Sequence, residues 1–528
     1  MKKANIYIFD IRAMNKKSIL IIILIVIFLL STSITLFVIL TNLNTTRNSS
    51  KEEDTDNQVT PTSDETQKQN ADILNRLSDS VTLVDFSALP RDASDFSSYK
   101  TYYVSTTGDD GNNGTLDKPF AKISHALEAA DEKSIVFVRG GTYQTRNLNI
   151  THSNFTLATY EEEEVILSPV AQNDQWDMDE DLAILIEGDL ANVVIDGFAI
   201  NDFEEGIVYG DPQTQENIIL KNINIINARI GISNAYPSHT KYLVEDLLIK
   251  NVTMTDITGI GLQCGDEQNK CAKDVLVQDV KVLGAENNED DTGYDSLAMV
   301  ESDNILVIDS TFTNAPGDGL DFKSTRVAVV NTIVGNPNRN GIKFWHEGEI
   351  INSIVYATGA DAAVVFGSDK SGSVFRLVNS VVAQHLLTTP QAERHAYAIT
   401  IGYDESKSYN VEIINNIFYD MPGPIYINSQ SSIDIRNNIF YKFIHDDRFL
   451  VYGEDDLDNI EELNQIEYAD QNLYIDPMFK DTSLSDWTLL QTSPAIDTGA
   501  RNNKIPDFDI NWKDRPIGSE VDIGPYEK

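Results

Sequence analysis

The chain is poor in basic residues. Its 528 residues hold 40 Lys and Arg against 82 Asp and Glu, a formal net charge of −42. That balance excludes nucleic-acid binding through a basic face. It also counts against unaided capture of a polyanion. Cysteine is nearly missing: Cys264 and Cys271, in CGDEQNKC, are the only two. With no further thiol and no nearby His, a metal pair is disfavoured. In an exported chain the two read as a disulfide closing a small loop, with two free thiols as the alternative. EF-hand spacing is absent, and so is helical periodicity through the middle of the chain.

Long uncharged runs are missing except at the start, where Ile19–Leu40 is 22 residues without a charge. At about 1.5 Å per residue it spans a bilayer core of about 30 Å. Lys2, Lys3, Arg12, Lys16 and Lys17 precede it, so residues 1–18 are expected in the cytoplasm and 19–40 as a membrane anchor. A cleaved signal peptide is the alternative, but the run is long for one and no A-x-A site follows. Residues 41–98 read as a polar, disordered linker with a short helix at Ala71–Leu77. Everything after it is expected outside the cytoplasm, as a monomer.

What is present is a repeat. Between Asp196 and Asn437 an apolar β run, an Asn or Asp, and another β run recur ten times. The anchors are Asp196, Asn222, Asn251, Asp279, Asp309, Asn331, Asn352, Asn379, Asn415 and Asn437, mostly 21 to 30 residues apart with one gap of 36. A period in this range marks a solenoid. Each repeat is too short for a βα unit, and Asn and Asp tolerate the left-handed bend that turns a strand without a loop. Short β-branched runs joined by such bends and stacked coil upon coil make a parallel β-helix. The doublets Asn415–Asn416 and Asn437–Asn438 read as stacked turn amides.

The ends agree. From Tyr102, YYVSTTGDDGNNGTLDKPFAKISHALEAADEKSIVFVRGGTY reads as strand, turn, helix, strand, with Phe120, Ile123, Ala126, Leu127 and Ala130 at helical spacing. Such a helix would cover the open end of the stack. This segment resembles the opening of right-handed parallel β-helix proteins, many polysaccharide lyases among them. DPMF (476–479), SPAIDTGA (493–500) and RPIGSEVDIGPYE (515–527) resemble their closing segment. The resemblance implies an all-β fold: a right-handed parallel β-helix over 99–455 with an N-terminal capping helix, and a closing segment over 456–528.

Laying the coils over one another places candidate chemistry. Nine residues past Asp309, Asn331 and Asn352 stand Asp318, Asn340 and Asp361; twelve past them stand Asp321, Lys343 and Val364. Strand alternation points Leu320, Phe322, Ile342 and Phe344 inward, so Asp321 and Lys343 point outward. Neighbouring coils lie about 4.8 Å apart, so the two stack. One coil earlier, matching Leu297 to Leu320 sets Asp295 over Asp318 and small Ala298 beneath Asp321. An open recess rimmed by Asp295, Asp318 and Asp321 results, with Asp290, Asp291 and Glu301 near in sequence. Converging carboxylates suit a hard cation such as Ca²⁺. The bland reading is a surface ion pair, worth about 0–1 kcal/mol.

GDGLDFK followed by NGIKFW resembles family-nine pectate lyases, whose parallel β-helices bind Ca²⁺ through a cluster of Asp and use a Lys one coil on as base. The resemblance implies Asp295, Asp318 and Asp321 as Ca²⁺ ligands, Lys343 as the base, and an acidic polysaccharide as partner. Gly317 stands where that family has a further Asp. Tyr294, Asn340, Trp345 and His346 lie near the same face as candidate substrate contacts. β-Elimination removes the proton α to a uronate carboxylate, which a cation assists. Two other readings stay open. One is a glycoside hydrolase using Asp318 with Asp321, although the NTD, GHG and RIK strings of polygalacturonases are absent. The other is a non-catalytic surface protein that binds carbohydrate.

Overall fold

Each strand in the body of the protein pairs in parallel with a strand one coil on. The computed structural model describes residues 73–92, 98–170, 181–211, 214–234, 242–265, 270–284, 294–359, 362–385, 397–402, 406–427, 431–443, 450–452, 455–502 and 504–528. The expected cytoplasmic segment, membrane anchor and most of the linker lie outside these residues. Among the described residues no helix is long and apolar enough to cross a membrane. The strands form one continuous parallel ladder, the mark of a parallel β-helix. Among the strands of the described residues, antiparallel pairing is confined to 450–457 and to 479–489.

The bends follow the anchors. Nine of the ten anchors hold φ between 49° and 60°, from Asn331 to Asn415; at Asp196 the bend passes to Gly197, φ 94°. Asn and Asp accept this region at low cost, so each coil turns at one residue. Their side chains also stack: Asn222 Nδ2 donates to Asp196 Oδ1 at 2.6 Å, and Asn251 Nδ2 to Asn222 Oδ1 at 2.7 Å. A second series of bends runs five residues before the anchors, at Asn217, Asp246, Asp274 and Asn304. The doublets behave as read: Asn416 Nδ2 donates to the Leu377 carbonyl and Asn438 Nδ2 to that of Ile413, both at 2.8 Å.

The interior is a continuous apolar column. Leu320, Phe322, Ile342, Phe344, Val364 and Phe366 all belong to it, as strand alternation required. Phe322, Phe344 and Phe366 stack at centroid distances of 5.4 and 5.8 Å. At the N-terminal end, helix α1 (Ile123–Ala129) buries Ile123 and Ala126 against it. At the other end α2 (Ile460–Leu463) contributes Leu463.

Two expectations need correction. The linker does not extend to residue 98. A helical turn at 73–77 and the extended chain to 92 form a strap along an outer face, burying Leu77, Val81, Val84 and Leu89. Its partners are an outward ladder of Val194, Ile219, Leu248, Leu276, Leu306 and Ala328. The physical cause is that this ladder is apolar and would otherwise face water. Likewise the closing segment does more than close the end. Phe508 and Val521 join the strap's face, while Phe479, Trp487, Leu489 and Ile523 cover another built on Ile354, Val381, Ile417 and Ile439.

Charge fastens both ends to the same rungs. Past Ala328 the outward ladder continues as Glu349, Arg376 and Glu412. Glu349 accepts from Thr82 N at 2.7 Å and Thr82 Oγ1 at 3.0 Å. Arg376 pairs with Glu349, donates Nε to Glu412 at 2.9 Å, and donates to the carbonyls of Ser80 and Lys504 at 2.8 and 3.0 Å. Glu349 and Arg376 are fully buried. Breaking a buried pair strands a charge at a cost of about 3–5 kcal/mol. Arg376→Met is therefore expected to lower the unfolding free energy by about 3–5 kcal/mol, read from urea titrations, and to open residues 80–83 to proteolysis. Asp420→Asn, which breaks the exposed pair with Lys442 and keeps a residue that tolerates the left-handed bend at φ 57°, should change stability by less than about 1 kcal/mol.

Candidate functional site

Two strands carry the cluster, β1 (Leu297–Ile308) and β2 (Leu320–Val330), together with β3 (Ile342–Phe344) and β4 (Val364–Phe366). Leu297 pairs with Leu320, Ala298 with Asp321, and Asp321 with Lys343. The expected register holds over these three coils. It slips at the fourth: Lys343 faces Val365 and not Val364. One extra residue enters between Tyr356 and Val364, because Gly335 pairs with Tyr356 while Ile342 pairs with Val364. Asp361, Asp290 and Asp291 lie outside the described residues.

The side chains converge. Lys343 Nζ lies 3.2 Å from Asp318 Oδ2 and 3.5 Å from Asp321 Oδ2. Asp318 is held by the coils on either side: its N–H donates to Asp295 Oδ1 at 2.8 Å, and its Oδ1 accepts from Asn340 N at 3.0 Å and Asn340 Nδ2 at 2.9 Å. Asn340 Oδ1 in turn accepts from Ala362 N at 3.1 Å. Asn340, read as a substrate contact, is thus a buried strut whose amide orientation is set by its own bonds. It points the second oxygen of Asp318 at the lysine.

The recess is not open, as the sequence reading had it: Asp318 is 2% and Asp321 7% exposed. Burial first, then the charges of Asp318 and Asp321, pushes the Asp295 carboxyl up to about 8. Burial also raises Asp321, against the pull of Lys343. At Lys343 burial acts downward, but Asp321, Asp318 and Asp295 outweigh it and hold the ammonium above its ordinary value. Three carboxyl groups therefore meet one ammonium, and Asp321 Oδ1 is buried with no hydrogen-bond partner among the described residues.

The remaining candidates divide. Trp345 belongs to the cluster, its ring centroid 5.2 Å from Lys343 Nζ. The Tyr294 carbonyl accepts from Gly317 N at 2.5 Å, which places it beside Asp295. His346 turns to Asp369, Nδ1 to Oδ1 at 3.3 Å. Glu301 sits at the bend that leaves this face, φ 50°. Lys323, two residues beyond Asp321 and paired with Val300, escaped the sequence reading although its charge acts on Asp321. Alternation alone places it on the same outward side. Cys264 and Cys271 form the expected disulfide.

As the side chains stand, no group of three or more His, Cys, Asp or Glu disposed to hold a metal ion is found among the described residues. The donor chemistry nevertheless fits a hard cation: the acidic groups all offer carboxyl oxygens, and one of them, Asp321 Oδ1, has no hydrogen-bond partner among the described residues.

No family model matches the chain. Over 437 residues it is 23% identical to the uncharacterized protein YwoF of Bacillus subtilis, covering 74% of this chain and 91% of that one. A shorter stretch of 71 residues is 41% identical to pectate lyase PEL9 of Emericella nidulans, covering 12% of this chain and 17% of that protein. Among solved structures, the complex of XylC with xylose is similar with a TM-score of 0.51 and 11% identity, over 81% of this chain and 98% of that one. At that identity the likeness concerns the fold, and the parallel β-helix agrees with it.

The raised Asp295 pKa has a stability consequence. An acid whose folded pKa exceeds its unfolded value favours folding below the unfolded value and loses that contribution as pH rises. The window runs from about 3.8 to about 8. Thermal melts across it are expected to show a falling Tm that Asp295→Asn flattens, with the largest gain over the parent above pH 8.

Proposed function

We propose that this chain is an extracytoplasmic, carbohydrate-active β-helix protein that cleaves a uronic-acid polymer by β-elimination, with Lys343 as base and a Ca²⁺ ion held by Asp295, Asp318 and Asp321. One observation carries the reading: an outward-facing ammonium 3.2 and 3.5 Å from two buried carboxylates, with a third carboxyl beside them. The local likeness to a protein named as a pectate lyase supports it. The Cys264–Cys271 disulfide supports the compartment, since disulfides persist where the surroundings oxidise. The anchor at 19–40 would hold the protein at the membrane.

When bound, such a cation would neutralise the uronate carboxylate and weaken the carboxylate field that keeps Lys343 protonated. The chain's own residues do the rest. Asn340 fixes Asp318. Asp318 and Asp321 hold Nζ in one place while it is charged, and the Trp345 ring flanks it. Lys343, once neutral, takes the proton α to the uronate carboxylate. The electron pair released forms the C4–C5 double bond as the C4–O bond to the leaving sugar breaks, and the departing oxygen takes a proton from solvent. General-base help of this kind is worth roughly 10²–10⁴-fold. The same cation would bridge an acidic protein to an acidic polymer.

The test is ultraviolet absorbance of the conjugated product on a panel of uronate polymers, with Ca²⁺ or with EDTA. A rise that needs Ca²⁺ supports the lyase. New reducing ends without absorbance would mean a hydrolase, and binding without either would mean a display protein. The decisive variant is Lys343→Arg. It keeps the positive charge between Asp318 and Asp321 but cannot shed a proton near neutral pH. Turnover is expected to fall at least 10²-fold while the fold and Ca²⁺ binding persist; retained turnover would remove Lys343 as base.

A further inference from the structure

The face that carries Lys343 continues one coil beyond the acidic cluster, to Gln263. Gln263 pairs with Ala298, Ala298 with Asp321, and Asp321 with Lys343, so the four form one outward ladder. Leu262 and Cys264, on either side of Gln263, belong to the apolar column, and alternation turns the Gln263 side chain to the outer face. Neighbouring rungs stand about 4.8 Å apart. Ala298 carries a single methyl, so nothing of its own reaches out between the longer side chains of Gln263 and Asp321.

Each of those two side chains holds an oxygen that no donor of the described residues reaches: Gln263 Oε1 and Asp321 Oδ1, both buried. The nearby donors are engaged elsewhere. Lys343 Nζ meets Asp321 through Oδ2, at 3.5 Å. Asn340 Nδ2 donates to Asp318 at 2.9 Å. On the far side of Gln263 stands Ser233, since Ile232 pairs with Leu262, and its hydroxyl donates to Glu205 at 3.4 Å. A buried acceptor without a donor is costly. Two acceptors cannot bond to each other, whereas one cation satisfies both. Carboxylate and amide carbonyl oxygens are the donors that a hard cation takes. Oxygens closed to bulk water suit a monatomic ion and no larger ligand. An amide oxygen also adds a ligand without adding charge, where three carboxyl groups already crowd together.

We propose that Gln263 is a ligand of the bound Ca²⁺, supplying Oε1 from the coil on the far side of Ala298 while Asp321 supplies Oδ1. The inference rests on the cation site proposed above and extends its ligand set by one coil, away from Lys343. Asp321 then serves two partners, the ion through Oδ1 and Lys343 through Oδ2.

The test titrates Ca²⁺ calorimetrically into the full-length chain stripped of metal, with thermal melts in EDTA and in Ca²⁺. Gln263→Met keeps the bulk and removes the oxygen. It is expected to weaken Ca²⁺ binding by roughly tenfold or more and to shrink the Ca²⁺-induced rise in Tm. Its Tm in EDTA should stay at or above that of the parent, which shows that the variant folds. Gln263→Glu keeps an oxygen in place and should bind Ca²⁺ at least as tightly as the parent, an outcome that a packing role would not produce. Parent-like affinity in Gln263→Met, or weaker binding in Gln263→Glu, overturns the inference and leaves Asp295, Asp318 and Asp321 standing as ligands. A parent that binds no Ca²⁺ overturns both. Weakened binding in Gln263→Met, with no ultraviolet-absorbing product from the parent, upholds Gln263 as a ligand and removes only the lyase.

Discussion

Everything in this structure depends on register: one residue in the left-handed region per bend, repeated so that the same positions of successive coils stack. Asn and Asp supply that bend cheaply, and their amides then bond to one another up the stack. Because the bend consumes a single residue, inward and outward alternation survives from coil to coil. Ladders of like positions follow, for good or ill. The inward ladder is a stack of Phe rings. The outward ladders gather whatever the sequence puts there: an apolar stripe on one face, a run of alternating charge beyond it, and three carboxylates with a lysine on another.

The acidic cluster and the buried Glu349–Arg376–Glu412 run show two outcomes of the same stacking. In the second, charges alternate and backbone groups complete their hydrogen bonding, so the ladder binds the chain to itself. In the first, three acids meet one base, and an oxygen of Asp321 is left over. The excess is visible in the elevated Asp295 carboxyl. Such an imbalance of buried acids supports the proposal that the cluster is a site and not a fastening.

Much of this was legible in the chain. The Asn/Asp period carried the fold, and alternation about Leu320 and Ile342 carried the pairing of Asp321 with Lys343. Counting from the anchors failed at Val364, because a coil gained a residue between Tyr356 and Val364 that no spacing rule foresees. The strap was missed because Leu77, Val81, Val84 and Leu89 are sparse and follow no single period. A signal for it did exist. Val275–Leu276–Val277 and Leu306–Val307–Ile308 are apolar at successive positions, hence buried on both faces, and a strand of that kind requires a cover. The burial of Asp318 and Asp321 could not be read at all, since it depends on neighbours distant in sequence.

The grip of Arg376 on both Ser80 and Lys504 bears on how the chain matures. Ser80 is synthesised 296 residues ahead of the guanidinium that holds it, and Lys504 comes 128 residues behind. Loop closure over such distances is slow compared with local coil formation. During passage from the ribosome the strap is the earliest part of the body to emerge, and it waits for a seat that is complete only with Arg376. A nascent chain halted short of Lys504 would still lack Phe508 and Val521, and would present the part of the outer stripe they cover as a sticky flank to whatever accompanies it.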